Sequence, residues 1–203
     1  MVMKKLISGL LAIAGLFLLT ACDAGVAAQI GDTRISQNTV QSRVAEILSE
    51  RRNYQTSEMQ LSYGEELNRA ELRFLVIATI FEKLAQENGI KVTKAMVDTR
   101  KAEILDQLGG LEGLSQALVS AQLAPSDFDF YVKSILISER LSEIAKASGV
   151  AEEAVGTTVQ NSVRELTEKI GIKINPQYGT WNSDAADLTA FDAAGSAVKS
   201  LMP

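Results

Sequence analysis

Histidine is absent from the 203 residues. The commonest general base, proton shuttle and metal ligand go with it. No Ser-His or Cys-His pairing for nucleophilic catalysis can be built. Cysteine occurs once, at Cys22, so there is neither an intramolecular disulfide nor a Cys/His zinc spacing. A phosphate-binding loop is missing as well. Gly109-Gly110-x-x-Gly113 has no Lys-Ser/Thr after it and no strand before it, and reads as a helix stop and turn. The carboxylates that suggest acid/base pairs, Glu65 with Glu66, Glu112, and Glu152 with Glu153, all fall at helix starts, where negative charge complements the helix dipole. An enzyme is not the expected reading. Nor is a nucleic-acid binder: Lys and Arg number 20 against 25 Asp and Glu, and no Arg-rich run or basic patch offers phosphate neutralisation.

A membrane-spanning run is also lacking. Leu6 to Leu19 is free of charge but counts 14 residues, short of the roughly 20 needed to cross about 30 Å of hydrocarbon. With Lys4 and Lys5 before it, the run has the anatomy of a signal peptide. It ends in Leu19-Thr20-Ala21-Cys22, which resembles the lipobox of bacterial lipoproteins. Small residues at 20 and 21 suit a narrow protease site, and the Cys22 thiolate is the one group able to take a diacylglycerol. An ordinary signal peptide with a chance cysteine is the alternative. Acyl chains on Cys22, palmitate among them, would hold the protein at the outer face of a membrane, at about 0.8 kcal/mol per buried CH₂. The chain from Cys22 onward keeps 18 basic residues against 25 acidic, a net charge of −7.

After a short tether, Val26, Ala28 and Ile30 alternate, Gly31-Asp32 supplies a two-residue turn, and Thr33 to Ile35 returns, the pattern of a β-hairpin. Ser36 is placed to cap a helix to about Arg52, with Val40, Val44, Ile47 and Leu48 on one stripe. A loop, 53–64, leads to a long helix from about Glu65 to Asn88 that is apolar nearly all round between Leu72 and Phe81 and stops at Gly89. Thr93 opens a third helix with Val97, Ile104, Leu105 and Leu108 inward, and a short one follows from about Leu111 to Gln122. The fifth begins near Pro125, with either Pro at its first position or a Ser126-x-x-Asp129 capping box, and runs to Ser148. It carries one line through Phe128, Val132, Ile135 and Glu139, and another through Ile137, Leu141 and Ile144. The sixth, about Ala151 to Ile170, is amphipathic along Val155, Val159, Val163, Leu166 and Ile170. Ile172-Lys173-Ile174 alternates like a strand, and 182–203 reads as a mobile tail. The sum is a mainly α domain with a small β-sheet made by the N-terminal hairpin and the C-terminal strand.

That order of elements resembles a known family. Ala27 to Ser36 is similar to the opening hairpin of the N-terminal chaperone domain of SurA and PrsA. Asn88-Gly89-Ile90-Lys91-Val92-Thr93 resembles its entry into the third helix. Leu108 to Glu112 and Leu123 to Phe128 resemble the next two helix starts, and Asn175 to Trp181 is similar to the final strand of actinobacterial lipoprotein members. Gly31 stands where the family more often has Asn-Gly, and Gln177 where basic residues are common. SurA and PrsA also carry a parvulin-type prolyl isomerase domain between the last two helices. Here only Gly149 and Val150 stand there, and the histidines of such sites are absent. The expected organisation is a leader (1–21), a lipidated tether (22–26), a multi-helix SurA N-terminal-like domain, related to the trigger-factor C-domain (27–181), and the tail (182–203).

The resemblance implies a membrane-anchored, extracytoplasmic, ATP-independent chaperone without catalysis, its partners unfolded or partly folded exported polypeptides. No cofactor is implied beyond the covalent lipid on Cys22. Phe74, Phe81, Phe128, Phe130 and Tyr131 lie on helices at several angles, and some of them are candidates to line an apolar groove for such partners, with Met59 and Met96 lending adaptability. For each the competing role is ordinary core packing. The alternative for the whole protein is a dedicated adaptor for one folded envelope partner. Oligomeric state is left open.

Overall fold

A computed structural model describes residues 25–190. The leader, Cys22 and residues 191–203 lie outside the described part. The elements follow in the order β1 (Val26–Ile30), β2 (Thr33–Ser36), α1 (Gln37–Arg51), α2 (Gly64–Glu87), α3 (Lys94–Gln107), α4 (Leu111–Ala121), α5 (Phe128–Ala147), α6 (Val155–Ile170), β3 (Ile172–Ile174), β4 (Thr180–Asn182) and β5 (Asp187–Thr189). The fold class is mainly α with small antiparallel sheets, as the sequence predicts.

Local chemistry sets most boundaries. Ser36 Oγ accepts from Thr39 N at 3.0 Å, and Thr93 Oγ1 accepts from Met96 N at 3.3 Å, so each satisfies an orphan amide at a helix start. At the head of α5 the proline solution prevails. A 3₁₀ turn, Pro125–Asp127, leads into the helix with no side-chain cap, because the Ser126 hydroxyl is engaged by Glu46 of α1.

The long helix α2 is the axis of the molecule, packed against α1, α5, α6 and β1. Its buried residues Leu67, Leu72, Leu75, Val76, Ile80 and Leu84 surround it, which explains a middle apolar on every side. They join Ile30, Val40, Ile47, Ile137, Leu141, Val163 and Leu166 in a main core. The three-stranded sheet, in the order β2-β1-β3, closes one side of that core. Ala28 pairs with both Ile35 and Ile174, and Ile30 lies opposite Ile172. Asn175 ties down the exit of β3: its N–H donates to Ala27 O at 2.9 Å and its side-chain amide donates to Val26 O at 3.2 Å. The two ends of the domain thus meet.

The structure revises two sequence expectations. The stripe Val97, Ile104, Leu105, Leu108 does not enter the core as a set. Only Val97 is buried, and Leu108 is exposed. The expected tail from residue 182 is in part folded: β4 and β5 form a second hairpin, and Leu188 is buried in the main core. Its strands are three residues each, too short to announce themselves by alternation. Gly179 makes this hairpin possible. Its φ is +118°, and a Cβ there would lie 2.0 Å from the Thr189 carbonyl oxygen. Gly179→Ala is therefore expected to unseat β5 and uncover Leu188, at a cost of about 3 kcal/mol, read as a lowered unfolding midpoint. An unchanged midpoint would show that the hairpin contributes nothing to the fold.

Candidate functional site

A second, smaller core stands beside the first. Val97 of α3, Leu118 of α4, Leu123, and Phe128 and Val132 of α5 form it. The two lines on α5 thereby acquire separate roles: Ile137 and Leu141 belong to the main core, Phe128 and Val132 to the smaller one. Phe74 of α2 packs against both.

Along the small core runs an open groove of about 480 Å³. Ile104 of α3 and Leu108 just after it, Leu114 and Leu118 of α4, Leu123, and Phe128, Tyr131 and Ile135 of α5 supply its apolar lining, with Arg100, Glu103 and Gln107 at the polar margin. A neighbouring hollow of about 410 Å³ continues it toward α2, lined by Ala70, Glu71, Arg73, Phe74 and Ile77. The two share Ala121, Leu123 and Tyr131. Together they form an apolar cleft between the two cores.

Of the five aromatic candidates, three reach this cleft. Tyr131 stands at the junction of its halves and is 42% exposed. Phe74 forms the α2 wall. Phe128 lines the floor but is 6% exposed, a packing residue of the small core. Phe130 is 41% exposed and faces a different hollow, with Val92, Val97 and Lys133. Phe81 is half-buried against the main core and lines neither half of the cleft. Met96 borders another shallow hollow, beside Leu136. Sequence reasoning missed Ile104, Leu108, Leu114 and Leu123 as cleft residues. The signal was present in α3, whose apolar line is followed by no partner helix long enough to bury it.

The rim is held in place by polar ties. Gln122 takes a left-handed conformation, φ +58°, after α4, and its Oε1 accepts from Ser62 N at 2.6 Å and from Arg51 Nη2 at 2.9 Å. Arg51 also donates to Ser62 O at 2.7 Å and lies 5.1 Å from the centroid of the Tyr63 ring. Ala121 and Leu123, on either side of Gln122, are thereby fixed relative to α1.

Beneath the cleft lies a buried ionisable cluster. Glu71 is 2% exposed and Asp127 is 0% exposed. Arg43 Nε of α1 sits 3.0 Å from Asp127 Oδ1, and Arg43 Nη1 lies 3.1 Å from Glu46 Oε1. Burial first, then the adjacent charge of Asp127 and a hydrogen bond to it, push the Glu71 carboxyl up to about 9. Burial raises Asp127 too, against the lowering pull of the Glu71 hydrogen bond and of Arg43. These directions favour a proton on Glu71, because Arg43 lies directly against Asp127. That proton also answers an otherwise unexplained deficit: Glu71 Oε1 and the Asp127 oxygens meet no N–H or O–H with hydrogen-bond geometry unless one carboxyl donates. The sequence flagged neither residue, although Glu71 occupies a core place on the line Leu67, Glu71, Leu75, Ala78.

No group of three or more His, Cys, Asp or Glu able to hold a metal occurs among the described residues, and no described helix is long and apolar enough to cross a membrane. No curated protein and no solved structure matches the chain. The family model of the SurA-like N-terminal domain matches residues 2–142, more than half of the 203 residues. The match takes in the opening hairpin, α1 to α4 and most of α5, the segment that builds the small core, much of the main one and the cleft between them. The chain belongs to the SurA-like N-terminal domain family.

Proposed function

We propose that this protein is a membrane-tethered holdase, which binds unfolded exported polypeptides in the cleft between the two cores and delays their aggregation. Membership of the family makes the chain a folding-associated protein built on a non-catalytic domain. The observation that carries the finer reading is the cleft: apolar, open, and flanked by the exposed Tyr131 and Leu108 on a frame fixed by two cores. Binding would draw on apolar burial, at about 25 cal/mol per Å² before ordering costs. No nucleotide is needed, because a client leaves when its own folding buries the same side chains.

The test dilutes a chemically unfolded, aggregation-prone polypeptide into buffer containing the protein from Asp23 onward, followed by light scattering. Suppression at near-stoichiometric ratio is the expected result. A folded protein without effect on any client would overturn the holdase reading in favour of an adaptor with one folded partner. The tether belongs to the same proposal: Cys22→Ser is expected to abolish labelling by a palmitate analogue and to move the protein out of the membrane fraction. Unchanged labelling would discard the lipid anchor.

A further inference from the structure

We propose that the outer edge of β3 takes up an extended, uncharged segment of an unfolded polypeptide as an added strand of the sheet. The direction of the hydrogen bonds in the sheet carries this. Gly31 N–H donates to Gly171 O at 3.0 Å, and Asn175 N–H donates to Ala27 O at 2.9 Å. Between them lie the pairs Ile30 with Ile172, Gln29 with Lys173, and Ala28 with Ile174. Bonded and non-bonded pairs alternate along an antiparallel ladder. Gln29 and Lys173 therefore bond each other, while the N–H and C=O groups of Ile172 and Ile174 point away from β1. No described strand pairs with them there: the order is β2-β1-β3, and β4 belongs to a separate sheet with β5. The fold thus leaves a short row of backbone donors and acceptors, spaced as a neighbouring strand requires.

The surroundings specify what joins this row. Ile172 and Ile174 border a hollow of about 420 Å³, whose lining includes Thr180, Trp181 and Ser183 and contains no charged side chain. The indole N–H of Trp181 meets no acceptor among the described residues. Such a site would desolvate an ionised side chain without pairing it. It complements a backbone that carries uncharged side chains, with hydrogen bonds supplying affinity as in strand addition generally. Backbone pairing reads little sequence, so the edge would add breadth to the cleft. The inference rests on the holdase reading for the source of the strand, and on the sheet alone for the site.

The test uses the full chain and a fluorescein-labelled peptide of alternating Val and Thr between Gly-Ser ends. In the free protein the amides of Ile172 and Ile174 should exchange with solvent faster than that of Lys173. Saturating peptide should slow both about tenfold. Unchanged exchange overturns the proposal. Two further peptides carry N-methyl groups on the Val or on the Thr residues. A strand's N–H groups alternate between its edges, so one peptide should lose about tenfold or more in affinity and the other should keep it. Equal loss in both, or none in either, overturns the proposal. Ile174→Pro removes one outward N–H and no ladder bond, a place where a strand tolerates proline. It should bind the unmethylated peptide about tenfold more weakly than Ile174→Ala does, and equal affinity overturns the proposal; if the proline variant does not fold, the methylated peptides decide. Slowed exchange without suppression of aggregation defeats the holdase reading and leaves the edge standing. Suppression without slowed exchange does the reverse.

Discussion

Glu71→Gln is expected to stabilise the protein at pH 8 and to make it slightly less stable, by about 1 kcal/mol, at pH 5. Glu71 is an acid whose folded-state pKa, about 9, lies above the ordinary value of 4.5. Below the ordinary value both states hold the proton, and the group costs nothing. As pH rises past it, the unfolded chain releases the proton and the folded chain does not, so stability falls by up to about 1.4 kcal/mol per pH unit until the folded group ionises in turn. Glutamine donates to Asp127 as the protonated acid does and has nothing to release. The variant should therefore gain about 2–3 kcal/mol at pH 8, after allowance for an imperfect hydrogen bond. Chemical unfolding of both chains at pH 5, 6.5 and 8 reads the difference, and the carboxylates that do not interact with Glu71 cancel in the comparison. Parallel pH profiles would show that Glu71 is ionised in the fold and that the shared proton is wrongly assigned. Removing Arg43 instead leaves the Asp127 charge buried without its partner, so Arg43→Ala should destabilise at neutral pH, the opposite sign from the same cluster.

The second large effect is on binding. Leu108→Asp combined with Tyr131→Asp sets two charges at the lining of the cleft, on residues already 38% and 42% exposed. Such surface changes cost the fold only about 0.5 kcal/mol each. Each removes apolar contact with a client, together about 2 kcal/mol, which is roughly thirtyfold in Kd. Holdase capacity should fall accordingly at a nearly unchanged unfolding midpoint. The matched control is Leu48→Asp with Ile144→Asp, residues of similar exposure that line none of the described hollows. If control and test pairs lose activity alike, the effect is general surface hydrophobicity and the cleft is not the site. Phe128 is unsuited to this test despite lining the cleft, because its truncation would empty the small core and cost about 3–5 kcal/mol of stability.

How much of this was legible in advance divides by range. Helix starts and stops depend on groups a few residues apart, and these were readable: Ser36 and Thr93 cap as their spacing implies, and Pro125 opens the turn into α5. The amphipathic line of α6 and the all-round apolar middle of α2 likewise described their burial correctly, since 3.6-residue periodicity translates directly into faces. The closing sheet was readable from alternation at both ends. Three-residue β4 and β5 were not, because so short a strand carries almost no period and owes its place to Gly179 and to a pocket for Leu188.

The cleft belongs to the other kind. An apolar stripe states that a face avoids water but not what covers it. Val97, Ile104 and Leu108 share one stripe on α3 and its end, yet one is buried, one half-buried and one exposed, because α4 is only 11 residues long and cannot cover the whole line. Phe128 and Phe130 are near neighbours on α5 and differ in fate for the same reason: one meets the small core and the other does not. The carboxyl pair is more remote still. Glu71 and Asp127 lie far apart in sequence, on α2 and at the head of α5, and their shared proton exists only where packing brings them together away from water. The amino-acid sequence by itself determined the elements, their order and the family, through local hydrogen bonds and hydrophobic period. Only the tertiary structure decided which apolar residues stay accessible and which acid keeps its proton, because exposure and desolvation are properties of what packs against a residue and not of the residue.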